Sequence, residues 1–127
     1  MHTDEITIPL NWTKGIKKPK NFFLGMNWYR NAKYFEVNQW KIKISMFCNI
    51  YYFGKHDKIR LHYDVYFKDN VRRDIMNAVA VVDKFVLDHM VSVGAIPDDS
   101  FKYVKSYNIN YIGKSDINKV VIRIEDL

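Results

Sequence analysis

RRDIMNAVAVVDKFVLDHMVSVGAIPDDS, residues 72–100, is the segment from which the architecture is argued. Ile75, Val79, Val82, Val86, Met90 and Val93 recur at spacings of three and four. That is the period of one buried helical face. Gly94 follows, where a helix ends on a residue that tolerates left-handed backbone. Asn77, Lys84 and Asp88 fall off the apolar face. At roughly 100° per residue, Lys84 and Asp88 each lie within about 20° of Asn77 around the axis. They form a narrow polar stripe in which Lys84 and Asp88, four apart, can touch. The segment enters through Arg72, Arg73 and Asp74 and leaves through Pro97, Asp98 and Asp99. A core helix with a solvated polar face accounts for any one of these residues. The set together points to a site.

Just upstream, residues 58–67 alternate strictly. Ile59, Leu61, Tyr63, Val65 and Phe67 point one way, and Arg60, His62, Asp64 and Tyr66 the other, as in a half-buried strand. His62 and Asp64 share a face, which suits either a metal pair or a solvated strand surface. Downstream, residues 103–112 read as a strand with room for a bulge, 113–117 as a turn, and 120–124 as a final strand.

Nearer the start, residues 6–10 alternate as a short strand, placed at an edge by Pro9. Residues 11–21 carry Lys14, Lys17, Lys18 and Lys20 around Gly15 and Pro19, with neither a helical nor a strand period. They read as a basic loop, either simply solvated or an arm on phosphates. Asn27, Trp28, Tyr29, Arg30, Asn31, Lys33 and Tyr34 interleave aromatic and basic groups. That mixture fits a surface that stacks on bases, and equally a loop docked on a core. Val37, Trp40, Ile44, Phe47 and Tyr51 then predict a helix over 36–52, ended by Gly54.

With 127 residues the chain is expected to form one domain, 1–127. Twenty Lys and Arg against fourteen Asp and Glu leave a charge of +6, which favours a polyanionic partner, nucleic acid before membrane. The single cysteine, Cys48, excludes an intramolecular disulfide and a cysteine-rich zinc site. No secretory signal or run of membrane-spanning length is evident, so a cytoplasmic setting is expected. The order of strands and helices predicts an α+β fold, a small mixed β-sheet with two main helices packed on it.

These residues together resemble the RusA family of Holliday junction resolvases, some of them phage-borne. The likeness rests on Arg72-Arg73-Asp74 after a strand, Asn77, Lys84 with Asp88 four residues on, Gly94, and the Asp98-Asp99 pair. The early strand and the Asn-Trp-Tyr-Arg run also fit that family's layout. The resemblance implies a homodimer that cuts four-way junctions in recombination and repair, acting at the nucleoid, in a family with phage- and prophage-encoded members. It implies a Mg²⁺ site on Asp74, Asp98 and Asp99, with Lys84 assisting catalysis. Arg72, Arg73 and Asn77 would hold DNA, together with Lys17, Lys18, Lys20 and Arg30. Two departures stand out. Met76 occupies the place of the motif's second aspartate, and a thioether is a poor ligand for magnesium. The step from Asn77 to Lys84 is longer than usual by about one helical turn, which restores the same face. Asp83 points the same way as the missing acid but sits about 10 Å along the axis, leaving Asp98 or Asp64 as replacements. A binding protein without nuclease activity, and an interaction module whose charge serves only solubility, are the alternatives.

Overall fold

In the computed structural model, which describes residues 5–127, a four-stranded mixed sheet carries helices on one face. Its strands are β1 (Glu5–Pro9), β4 (Ile59–Phe67), β5 (Val104–Lys114) and β6 (Lys119–Asp126), in the order β1-β6-β4-β5. A separate two-stranded sheet is made of β2 (Asn11–Lys14) and β3 (Lys20–Phe23). The helices are α1 (Met26–Asn31), α2 (Tyr34–Cys48) and α3 (Ile75–Ser92). The chain is of the α+β class, as its pattern predicts.

Strand β4 is the centre of the sheet because its alternation buries one whole side. Ile59, Leu61, Tyr63 and Val65 are inaccessible to solvent and Phe67 nearly so. It pairs with β6 antiparallel and with β5 parallel. Two parallel neighbours cannot be joined by a hairpin and need a crossover. Helix α3 is that crossover. It forms the middle of the stretch quoted at the outset, and Gly94 follows it at φ +78°.

The buried side of α3 is wider than the six-residue stripe. Ala78, Val81, Phe85, Leu87 and His89 are buried too, whereas Val93 lies beyond the last turn and is half exposed. The reason is α2, which packs on α3 from the side away from the sheet and buries Trp40, Ile44 and Cys48. Enclosure pushes the Cys48 thiol up to about 12, so it is an inert core residue.

Several sequence expectations need correction. Residues 11–21 are a hairpin, not a loop. Trp12 pairs with Phe22 and Lys14 with Lys20, and Gly15 at φ +90° turns the chain between them. The Asn-Trp-Tyr-Arg run forms the short helix α1 rather than a loop. Helix α2 starts two residues earlier than predicted and ends at Cys48, four residues sooner. β5 runs through Gly113 to Lys114, with register shifts against β4 at Ile59/Arg60 and Val65/Tyr66. β5 and β6, consecutive in the chain, are not neighbours in the sheet, because β4 lies between them.

Candidate phosphate-binding cleft

The loop after β4 brings Arg72, Arg73 and Asp74 to the N-terminus of α3. Asp74 is the N-cap, and its Oδ1 accepts from the Met76 amide at 2.9 Å. This satisfies one of the free donors of the first turn, and the helix dipole favours the carboxylate there. The side chain is otherwise exposed to solvent.

Helix α1 closes the other side. Gly25, its N-cap, lies so near α3 that a Cβ would come within 2.9 Å of the Asn77 carbonyl oxygen and of the Phe23 ring. A residue without a side chain permits this approach. The Asn27 amide therefore reaches Asn77 Oδ1 at 3.3 Å. Arg30 is steadied by Asn27 Oδ1, which accepts from its Nη2 at 2.8 Å.

Between these elements opens a cleft of about 670 Å³. Arg30, Arg72, Arg73, Asp74, Asn77 and Asn27 supply its polar wall, and Phe23, Met26, Met76 and Ala80 its apolar one. The three guanidinium groups are not equivalent. Arg73 donates to Asp69 at 2.7 Å and lies over the rings of Phe67 and Phe23, at 5.2 and 5.6 Å from their centroids. Its bond holds the Asp69 carboxyl below the ordinary carboxylate range. Arg73 is thus fixed in place, while Arg30 and Arg72 are exposed to a ligand. Two exposed guanidinium groups, Arg30 held by Asn27 and the Met26 carbonyl, together with the fixed Arg73 and the N-terminal amides of α3, are suited to phosphate oxygens.

The structure gathers Arg30, Arg72, Arg73, Asp74 and Asn77 of the sequence-predicted residues around this cleft. Lys84, Asp98 and Asp99 do not line it. Lys84 is exposed, and Asp88 pairs with Lys41 of α2 at 3.1 Å rather than with Lys84. Asp98 Oδ1 accepts from the Asp99 amide at 2.7 Å. Lys17, Lys18 and Lys20 belong to the hairpin and are exposed. Met76, where the motif has an aspartate, is half exposed at the cleft wall. Among the described residues, no three or more His, Cys, Asp or Glu side chains are grouped to hold a metal ion. His62 and Asp64 are engaged separately, His62 by Glu125 at 2.7 Å and Asp64 by Arg123 at 3.7 Å.

One acid sits where the sequence did not point. Asp83, in the middle of α3, accepts from the hydroxyls of Tyr63 on β4 and of Tyr107 on β5, the latter at 2.9 Å. Burial pushes its carboxyl up, the two tyrosine bonds oppose that, and the charge of Asp99 adds to it. Asp99 therefore exerts its charge near mid-helix. Asp74 lies nine residues from Asp83, about 13 Å along the axis. Asn27 and Phe23 were likewise missed as parts of the cleft, and so was Asp69, which lies outside it and holds Arg73. Only Asn27 carried a signal, as a member of the aromatic and basic run. No protein-family model matches the sequence, and no curated protein matches it.

Proposed function

We propose that the chain binds the phosphodiester backbone of nucleic acid. More narrowly, it is a Mg²⁺-dependent endonuclease acting on branched DNA, as the resemblance to RusA resolvases implies. The observation that carries this reading is the meeting of Arg30, Arg72, Arg73 and Asp74 around one open cleft at a helix N-terminus. A basic chain of +6 suits the same polyanion.

The donor set fits a magnesium ion in part. Mg²⁺ takes one or two carboxylates and completes its shell with waters and phosphate oxygens. Asp74, with one oxygen uncommitted, is the residue of the cleft that would hold it. Asp98 and Asp99 are the further acids that the resemblance implies. When bound, such an ion polarises a phosphoryl oxygen and acidifies a coordinated water. The chain's own groups do the positioning. Arg30 and Arg72 hold flanking phosphates, Arg73 keeps the loop after β4 in place through Asp69, and Asn77 ties α1 to α3.

Incubation with a mobile four-way junction and Mg²⁺ tests the proposal. The wild type cuts, and Asp74→Asn binds without cutting. Failure to cut any branched DNA across divalent metals sinks the nuclease reading. A second reading, junction binding without hydrolysis, is favoured by Met76 at the motif's second acid position. Salt-sensitive retention of junction DNA without cleavage selects it, and a gain of cutting in Met76→Asp would identify the missing group. No retention of DNA at moderate salt removes both.

A further inference from the structure

The positive charge of the chain is unevenly placed. Residues 6–35 contain six Lys and Arg and no Asp or Glu. Lys14, Lys17, Lys18 and Lys20 of this run belong to the β2–β3 hairpin, and Arg30 lines the cleft. The hairpin is fixed at its base and bare at its tip. Trp12 packs edge-on against Trp40 and Phe47 of α2, with ring centroids at 6.1 and 5.4 Å, and its Nε1 donates to the Pro9 carbonyl at 2.7 Å. Phe22 lies against Trp28 and Trp40 at 5.2 and 4.8 Å. Lys14 is committed to Glu36 at 2.7 Å. Beyond these anchors Gly15 turns the chain, and Ile16, Lys17 and Lys18 form the tip. Ile16 is 97% exposed, the barest large apolar side chain among the described residues.

We propose that the hairpin is a wedge for duplex nucleic acid, in which Lys17, Lys18 and Lys20 hold phosphates while Ile16 enters between two stacked bases and opens the step. This rests on the reading of the chain as a binder of phosphodiesters and adds to it a means of deforming the duplex. A lone exposed aliphatic residue is ordinary on a protein surface. This one has an unusual setting. Turns favour glycine, proline, asparagine, aspartate and serine, each for its backbone. Isoleucine brings none of those advantages and makes no apolar contact to repay its exposure. It stands at the end of an anchored arm with exposed cations beside it, the combination by which basic arms unstack and kink a duplex. A membrane is the poorer match, because attachment there scales with buried apolar area and one side chain supplies little. The arm also leads to the cleft. Lys20 begins β3, and Phe23 at its other end lines the cleft wall, about 10 Å away. At about 3.4 Å per base step, a duplex on Arg30 and Arg72 can reach the hairpin within a few steps.

The test uses the full chain, a short linear duplex containing the fluorescent adenine analogue aminopurine, and EDTA, so cutting plays no part. The wild type retains the duplex and raises its fluorescence as bases unstack. Ile16→Ala retains the duplex with the same salt dependence, but the rise is lost. Ile16→Leu restores it. Lys17→Ala with Lys18→Ala lowers the slope of log affinity against log salt by about 2. All three side chains are exposed, so the variants keep the wild-type circular dichroism spectrum. No retention of the duplex at moderate salt removes the nucleic-acid reading and this inference with it. Retention without a rise, or a rise that Ile16→Ala leaves intact, overturns the wedge alone. Flotation with phosphatidylserine vesicles that depends on Ile16, without an Ile16-dependent signal on DNA, assigns the tip to a membrane and overturns it too.

Discussion

Asp74 and Asp83 lie on one helix, nine residues apart, and solve opposite problems. Asp74 stands in water at a helix N-terminus, beside guanidinium groups, with one oxygen bonded to a backbone amide. Asp83 is enclosed between α3 and the sheet and is satisfied by two phenolic hydroxyls. The first is poised to exchange partners. The second cannot lose a partner without leaving a carboxylate enclosed and unsatisfied. The contrast teaches that an acid in an apolar helical run is not thereby a ligand. What matters is whether its second oxygen is already taken.

The largest effect is expected at Asp83. Tyr63→Phe removes a buried donor and leaves the carboxylate short of a bond, at a cost of about 2–3 kcal/mol in urea unfolding. An unchanged midpoint would erase the distinction between the two acids. Titration sharpens it. Burial raises the Asp83 carboxyl in the folded state above its unfolded value, so the folded protein binds the proton more tightly. The stability tied to this group is full below a pH of about 4 and declines as pH rises through the folded pKa. The stability of Asp83→Asn relative to wild type should therefore increase from acid towards neutral pH. A difference that stays flat, or runs the other way, removes burial as the dominant influence.

Smaller effects are expected at Asp74. Asp74→Ala loses the cap and costs about 1 kcal/mol, whereas Asp74→Asn keeps an acceptor and stays within about 0.5 kcal/mol of wild type. Loss of cutting in the asparagine variant then reports chemistry rather than folding. The smallest change is at Lys84, exposed on the same helix. Lys84→Ala should leave stability within about 0.5 kcal/mol, so any loss of cleavage reflects a role towards DNA.

Long periodic segments were legible in the sequence, and short or enclosed ones were not. Nine residues of strict alternation predicted β4, and eighteen residues at threes and fours predicted α3. The β2–β3 hairpin was missed because each strand has only four residues, of which three in β2 and two in β3 are lysine, asparagine or threonine. Helix α1 is six residues long, too short for a period. In the cleft, Arg72, Arg73, Asp74 and Asn77 were found because they are neighbours in sequence on one turn. The contribution of α1 depends on the tight approach at Gly25. The position of Asp99 depends on the path after Gly94, which no periodicity encodes. Asp83 was judged by its distance along the axis alone, and its tyrosines come from two strands whose parallel pairing had to be seen.

The sheet order has a consequence for how the molecule is made. Strand β1 pairs with β6, whose residues are synthesised more than a hundred positions later. β4 likewise waits for both of its neighbours. The hairpin and α2 are local and can form early, but the sheet cannot close until β6 has been made. Until then the edge of β4 that takes β6 is unpaired, and an unpaired strand edge invites aggregation.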